Sequence, residues 1–263
     1  MRRNLDKIYT VNCDDVARGH LPGCYVSLDK KCFDSRYHRI CAYPYTYNEL
    51  ITPSSIHSAS SAVPRKLFSF RGTVKSHPVR RAMVAALSPQ YDSAIHVVNT
   101  TFHSHSDYEK KAFVDSILDS KFVLCPRGWF PVTYRLFEVM ELGRCPVIIS
   151  DQWVPIQGIP WDECTIQVPE VDVGNIPEIL SNYEDQADEL GQRARSIWEK
   201  HLAYQPRYRH MLDCLIELHK NRSQVNWDHE NRWRGLAFNY INGWTFPQKA
   251  IRRLKQFVVY GGR

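Results

Sequence analysis

The chain has 263 residues and a formal net charge of +6 at pH 7, with 43% hydrophobic and 24% charged residues. This composition is typical of a globular protein with one large core or two small ones, and it excludes an intrinsically disordered chain. No run approaches the roughly 20 apolar residues that cross a bilayer, and the start lacks the apolar segment of a signal peptide, so we expect a cytoplasmic protein.

Residues 1–64 predict a small N-terminal α/β lobe. Its short extended pieces alternate with turns that contain glycine and proline, and they lie at residues 8–12, 25–28 and 39–43. Residues 52–64, TPSSIHSASSAVP, are typical of a linker.

Of the eight cysteines, the first four lack the spacing of a zinc site. There is no CxxC pattern and no paired His among the first four, Cys13, Cys24, Cys32 and Cys41. In a reducing compartment the simplest prediction is free thiols that are mostly buried.

After the first lobe, the hydrophobic pattern alternates regularly between strands and helices. Strands are predicted at residues 67–70 and 95–98, with a helix at residues 78–87 between them. Ser106 and Glu109 have the spacing of a capping box, which predicts the start of the next helix. The predicted buried residues are Val79, Met83, Ala86 and Leu87 in the first helix, and Tyr108, Ala112, Phe113, Ile117 and Leu118 in the second.

A βαβ unit follows at residues 120–151. Its strands are predicted at residues 122–125 and 146–149, and in the helix between them Thr133 can cap the first N–H groups while Gly143 suits a left-handed end. Strands separated by helices predict a parallel, right-handed doubly wound sheet.

A further strand and helix are predicted at residues 165–168 and 176–180, and two long helices end the readable part of the chain. The apolar residues that recur at helical spacing are Tyr183, Ala187, Leu190, Ala194, Trp198 and Leu202 in the first, and Met211, Leu212, Leu215, Ile216 and Leu218 in the second.

Several short segments carry a resemblance to one family. They are LFSFRG at residues 67–72 with Arg80 following, CPRG at 125–128, RLFE at 135–138, PVIISD at 146–151, then Trp161, VPE at 168–170 and NIPEIL at 175–180. Over roughly residues 66–182, this pattern is similar to the exostosin family of glycosyltransferases.

The resemblance implies a GT-B-like architecture. Together with the pattern of the residues, it predicts an acceptor-side lobe, a nucleotide-sugar-binding Rossmann-like domain, C-terminal helices that pack back, and a basic tail, at residues 1–64, 65–182, 183–222 and 223–263. It also implies an inverting, metal-independent transfer of a sugar from a nucleotide diphosphate sugar to a saccharide acceptor. We expect neither a metal nor another cofactor, because the sequence has no GxGxxG turn and no DxD motif at a strand end.

The predicted donor site lies where strands end and helices begin. Arg127 and Gly128 follow a strand, near a helix start that can bind a diphosphate, and Arg71 and Gly72 occupy the equivalent turn after the first strand of the domain. The alternative is that both arginines are solvated or pair with carboxylates.

Other residues complete this site. Glu138 is a suitable acceptor for ribose hydroxyls, a role that the resemblance implies, although it could instead pair with Arg135 on the same helix. Tyr134 and Trp129 can stack on a base or sugar ring, or pack in the core.

The catalytic base is predicted at Asp151, with Trp153 on the acceptor side, because sugars stack on aromatic rings while their hydroxyls need acceptors. The alternative is a helix cap by Asp151 and core packing by Trp153. Further candidates for the base are Asp14, Asp15 and His20 in the first lobe.

The basic tail suggests other partners. Residues 231–263 contain seven Lys or Arg and no Asp or Glu, and residues 247–258 can form an amphipathic helix that binds an anionic membrane surface weakly. Nucleic-acid binding would explain this tail but nothing in the central unit, so it is not favoured. A third hypothesis is an inactive carbohydrate- or nucleotide-binding protein of the same fold.

Overall fold

A computed structural model describes residues 9–13, 19, 21–44, 48–61, 63–99 and 105–221. These residues form two parallel β-sheets with helices packed on them. The predicted α/β class is confirmed, with a doubly wound parallel sheet, a small N-terminal lobe and C-terminal helices. The predicted membrane contact of the basic tail falls on residues outside the described part of the chain.

The smaller sheet belongs to the N-terminal lobe and consists of β1 Thr10–Asn12, β2 Gly23–Tyr25 and β3 His38–Ile40. The three strands are parallel and lie in the order β1-β2-β3.

The larger sheet has five parallel strands, which are β4 Lys66–Gly72, β5 Ile95–Val97, β6 Ser120–Pro126, β7 Cys145–Ile149 and β8 Ile166–Gln167. Their order across the sheet is β5-β4-β6-β7-β8. The chain goes from β4 to β5 on one side and then returns to the other side of β4 with β6. The order therefore reverses between β4 and β6, and open parallel sheets bind ligands at the carboxyl ends of strands at such a switch point.

The α-helices are α1 Pro53–Ser61, α2 Pro78–Tyr91, α3 Asp107–Leu118, α4 Tyr134–Glu141, α5 Ile176–Ser181, α6 Ala187–Ile197 and α7 Tyr204–Lys220. None of the helices in this described part of the chain is both long and apolar enough to cross a bilayer.

Helices cover both faces of the larger sheet. On one face, α2 and α5 pack Met83, Leu87 and Leu180 into the same cluster as the strand residues Phe68 and Phe122. On the other face, α3 and α4 pack Ile117 and Val139 against Val123 and Cys125. The strands are buried on both sides, which explains why β6 and β7 are apolar without alternation.

The last helix packs back onto the small lobe, as the resemblance implied. Cys214 on α7 is buried against Cys24 on β2 and Cys41, which directly follows β3. At the surface, Arg39 on β3 forms an ion pair with Glu217 on α7, with 2.7 Å between nitrogen and oxygen.

Some local predictions were wrong. The predicted linker at residues 52–64 contains α1, because its serines and alanines are compatible with a helix. Thr133 stands at the N-cap of α4, but its side chain makes no capping hydrogen bond. Several predicted core residues are exposed because the buried stripe of each helix is narrower than the predicted face: Ala86, Tyr108, Leu212 and Ile216.

Gly143 ends α4 with a φ of +68°, in the left-handed region that side chains other than glycine disfavour, as predicted. Gly143→Ala should therefore lower the free energy of unfolding by about 1 kcal/mol, even though the added methyl would meet nothing closer than 3.6 Å. Gly174→Ala is the control, since a methyl there meets open space and the glycine has no positive φ. Urea unfolding of both variants checks this, and equal stabilities would contradict it.

Candidate functional site

A cavity of about 350 Å³ opens at the carboxyl ends of β4 and β6, where the strand order reverses. The larger domain contributes the turn after each strand and the first turns of α4, while Tyr43 and Asn48 of the small lobe line the other side. Most of the predicted donor-site residues meet there: Arg71, Gly72, Gly128, Tyr134, Arg135 and Glu138. The sequence predicted this because the carboxyl ends of parallel strands share one edge of a sheet.

Arg80 lines the same cavity and was not predicted as a site residue. It lies in the first turn of α2 with its guanidinium buried, where Nε donates to the carbonyl of Arg127 at 2.9 Å. Its two terminal nitrogens donate to the carbonyls of Pro126 and Thr73, each at 3.1 Å. Burial and the nearby Arg135 lower the pKa of Arg80 to about 9. One signal for this residue was present in the sequence: Arg80 is an arginine within the apolar face of α2 that Val79 and Met83 form.

Arg135 is the second buried guanidinium of the cavity. Its side chain donates to the carbonyls of Arg71 and Leu124 and lies over the ring of Phe70, 4.8 Å from the ring centre. Gly72 makes this position possible, because a methyl group there would lie 2.7 Å from a terminal nitrogen of Arg135. Burial lowers the pKa of Arg135.

Positive charge therefore collects in the cavity. Among the described residues, Arg71, Arg80 and Arg135 form no ion pair with a carboxylate. The Nε atom of Arg135 and the hydroxyl of Ser76 are buried there without a hydrogen-bond partner from the described residues. Uncompensated buried cations and unused donors favour an anionic ligand.

Glu138 lies on α4 one turn after Arg135 and also lines the cavity. Burial raises the pKa of its carboxyl group to about 7, against the opposing effect of Arg135. Near it, the ring of Tyr134 packs edge-to-face on Tyr43, with 4.1 Å between ring centres. Trp129 lines the cavity too, and 69% of its surface is exposed.

Arg127 is placed differently from the other predicted residues. Its guanidinium does not line the cavity and lies between two carboxylates, 3.5 Å from Asp29 and 3.7 Å from Glu170. Asp29 lies between β2 and β3 of the small sheet and Glu170 follows β8, so this arginine joins the two lobes. The alternative considered for this residue, pairing with carboxylates, is the arrangement observed.

The predicted catalytic and acceptor residues also lie away from the cavity. Asp151 is exposed at the end of β7, where its carboxylate accepts from the N–H of Glu170 at 3.1 Å. Trp153 is 8% exposed and packs edge-to-face on Trp161, with 5.2 Å between ring centres, so the structure favours its packing role. The other candidates for the base, Asp14, Asp15 and His20, fall outside the described residues.

Comparisons with known proteins bear on the family of the chain. The sequence model of the Exostosin GT47 domain matches residues 30–183, more than half of the chain. The Exostosin-1 homolog of Caenorhabditis elegans is 28% identical over 152 residues, which are 56% of this chain and 40% of that protein. A "Probable glucuronosyltransferase" of Oryza sativa subsp. japonica is 30% identical over 182 residues, 64% of this chain and 41% of that protein. The chain thus spans about two fifths of the length of these relatives.

Among solved structures, a glycosyltransferase from Rickettsia africae ESF-5 superposes with a TM-score of 0.43 and 11% identity. The superposition covers 80% of this chain and 65% of that one.

Glu138→Gln should change how stability depends on pH. The pKa of Glu138 rises from 4.5 to about 7 on folding, so its ionisation destabilises the native state progressively between these values and fully above pH 7. Relative to the wild type, the variant should gain up to about 3 kcal/mol in free energy of unfolding between pH 5 and pH 8. Glu141, whose pKa burial also raises to about 7, is present in both proteins.

Urea unfolding at several pH values measures this gain. The control is Glu178→Gln, which removes an exposed carboxylate on α5. A difference between wild type and Glu138→Gln that stays constant from pH 5 to pH 8 would contradict the raised pKa.

Proposed function

The chain belongs to the exostosin GT47 family, and from that premise we propose that it is a glycosyltransferase acting on a nucleoside diphosphate sugar and a saccharide acceptor. The observation that carries this proposal is the cavity between the ends of β4 and β6, where buried arginines have no carboxylate partner among the described residues.

The diphosphate of the donor is assigned to the arginine side of the cavity. A guanidinium has five N–H groups, of which Arg80 uses three and Arg135 uses two in the hydrogen bonds to carbonyls described above. Arg71 adds a third cation, and the first N–H groups of α4 lie beside them. Together they can neutralise a diphosphate without a metal ion.

The nucleoside is assigned to the remaining wall. Glu138 is placed to accept hydrogen bonds from the ribose hydroxyls in its ionised form, and the exposed ring of Trp129 can stack on the base. Because the rice relative is named a glucuronosyltransferase, uridine diphosphate glucuronate is the first donor to test.

The proposed reaction inverts the anomeric carbon in a single displacement. A base removes the proton of an acceptor hydroxyl, the oxygen attacks the anomeric carbon, and the nucleoside diphosphate leaves with its charge stabilised by the arginines. Asp151 is the proposed base within the described part of the chain, and Asp14, Asp15 and His20 are the alternatives in the N-terminal lobe.

A second function is a nucleotide- or carbohydrate-binding protein without transferase activity. One observation favours it, since Asp151 does not line the cavity. Binding of the donor is common to both proposals, and only transfer separates them.

Uridine diphosphate should bind without added magnesium or manganese, and Arg71→Ala should weaken this binding roughly ten- to a hundredfold, as expected for loss of a charge-assisted contact of about 1.5–3 kcal/mol. The matched control is Arg81→Ala, which removes an equal charge from an exposed position on α2 that does not line the cavity. Calorimetric titration measures both. Equal affinities of the two variants, or binding that requires an added divalent ion, would contradict the assigned site.

Arg127→Ala separates a structural role from a donor-binding role. Because it leaves Asp29 and Glu170 without their partner, it should lower the free energy of unfolding by about 1–3 kcal/mol and change donor affinity less than Arg71→Ala does. If Arg127→Ala lowers donor affinity more than Arg71→Ala does, Arg127 would instead be assigned to the donor site.

Transfer should be detected when the protein is incubated with uridine diphosphate glucuronate and an oligosaccharide panel, by mass spectrometry of the products. Asp151→Asn should abolish this transfer and leave the affinity for uridine diphosphate unchanged, because the residue lies away from the assigned donor site. Donor binding without transfer would favour the binding-protein alternative. If the Asp151→Asn variant still transfers the sugar, the base would instead be assigned to the N-terminal lobe.

A further inference from the structure

Three thiols and one imidazole meet between the small sheet and α7. Cys24 lies on β2 and Cys41 follows β3, while His210 and Cys214 are one turn apart on α7. The ligand atoms of Cys41, His210 and Cys214 all lie within 4.8 Å of one another. Cys24 is buried in one cluster with Cys41 and Cys214, where its thiol donates to the carbonyl of Met211 at 3.6 Å, and it is the candidate for a fourth ligand.

The distance between the ligand atoms of Cys214 and His210 matches a tetrahedral metal site. Bonds of about 2.3 Å to sulfur and 2.0–2.1 Å to nitrogen at tetrahedral angles place a sulfur and a nitrogen ligand about 3.6 Å apart. The observed distance from Sγ of Cys214 to Nε2 of His210 is 3.5 Å. Three cysteines and one histidine are one of the ligand sets of structural zinc.

The surroundings also fit a metal ion with thiolate ligands. Cys24, Cys41 and Cys214 are buried together, with at most 5% of the surface of each residue exposed, and structural zinc sites are likewise closed to solvent.

We propose that Cys24, Cys41, His210 and Cys214 bind one structural zinc ion that fastens α7 to the small sheet. Binding forms three zinc–sulfur bonds and one zinc–nitrogen bond, and the thiol protons pass to the solvent. No electron is transferred. This site is separate from the arginine-lined cavity, and its role is to stabilise the N-terminal lobe.

The sequence alone did not indicate this site, because its ligands come from three segments without a CxxC pattern. The one local signal is the i, i+4 spacing of His210 and Cys214, which places both side chains on one face of α7. The predicted absence of zinc followed from spacing within the first lobe and did not consider the last helix.

Metal analysis of the full chain tests the proposal. Protein purified with a reductant, and without a chelator, should contain about one zinc ion per chain by plasma mass spectrometry. Cys214→Ser and His210→Ala should lose most of this zinc. Cys32→Ser is the matched control, because it removes a thiol of the same lobe that lies outside the cluster, and it should keep the metal. A wild-type protein without zinc, or with a disulfide between two of these three cysteines, would overturn the proposal.

Replacing zinc with cobalt tests the metal site in the wild-type protein, so the result does not depend only on how well the variants fold. The wild-type protein loaded with Co²⁺ should show the visible bands of tetrahedral cobalt and a thiolate-to-cobalt charge-transfer band in the near ultraviolet. Cys214→His should keep the visible bands and lose about a third of the charge-transfer intensity, since two of three thiolates remain. Octahedral cobalt spectra in both proteins would overturn the site.

Removing the metal separates this proposal from the proposed function. Zinc removal by a strong chelator should lower the melting temperature of the wild-type protein and leave that of His210→Ala unchanged. Uridine diphosphate should still raise the melting temperature of folded His210→Ala, because the donor cavity does not include the cluster. An equal effect of the chelator on both proteins would contradict the zinc site.

Discussion

Two buried guanidiniums form hydrogen bonds with the backbone at the ends of β4 and β6, where the order of strands in the sheet reverses. Arg80 donates to carbonyls at the end of β6 and in the turn after β4, and Arg135 reaches the carbonyl of Arg71. A buried cation is costly unless its charge and its hydrogen bonds are satisfied. Carbonyl groups accept some of the hydrogen bonds here, and no carboxylate among the described residues forms an ion pair with either guanidinium, so the same contacts that fix the strand ends also prepare the cavity for an anion.

The position of the small lobe depends on contacts from distant parts of the chain. Arg127 joins Asp29 of that lobe to Glu170 beyond β8, and Arg207 of α7 donates to the carbonyl of Tyr43 at 3.0 Å. These contacts bring Tyr43 to the wall of the cavity, opposite the arginines. The cavity is therefore a product of both lobes, and its shape depends on how firmly α7 stays docked.

The arginines near this edge of the larger sheet differ in whether they pair with a carboxylate, and this difference indicates their roles. Arg127 has two carboxylate partners and acts as a bridge between the lobes, whereas Arg71, Arg80 and Arg135 have none among the described residues. A paired arginine gains little from a new anion, because the ligand must displace a carboxylate that already occupies its donors. The unpaired arginines carry no such penalty, and they are the better candidates for binding a diphosphate.

The sequence by itself determined the order of strands and helices and the edge at which the site forms. Hydrophobic periodicity, the capping box of Ser106 and the left-handed Gly143 are local signals, and the carboxyl ends of parallel strands meet at one edge whatever the details of packing. Only the tertiary structure decided the partners of individual side chains. Arg127 turned to Asp29, 98 residues away, Trp153 packed on Trp161, and Cys41 met His210 and Cys214 of α7. Such choices depend on contacts between distant segments, which no local pattern encodes.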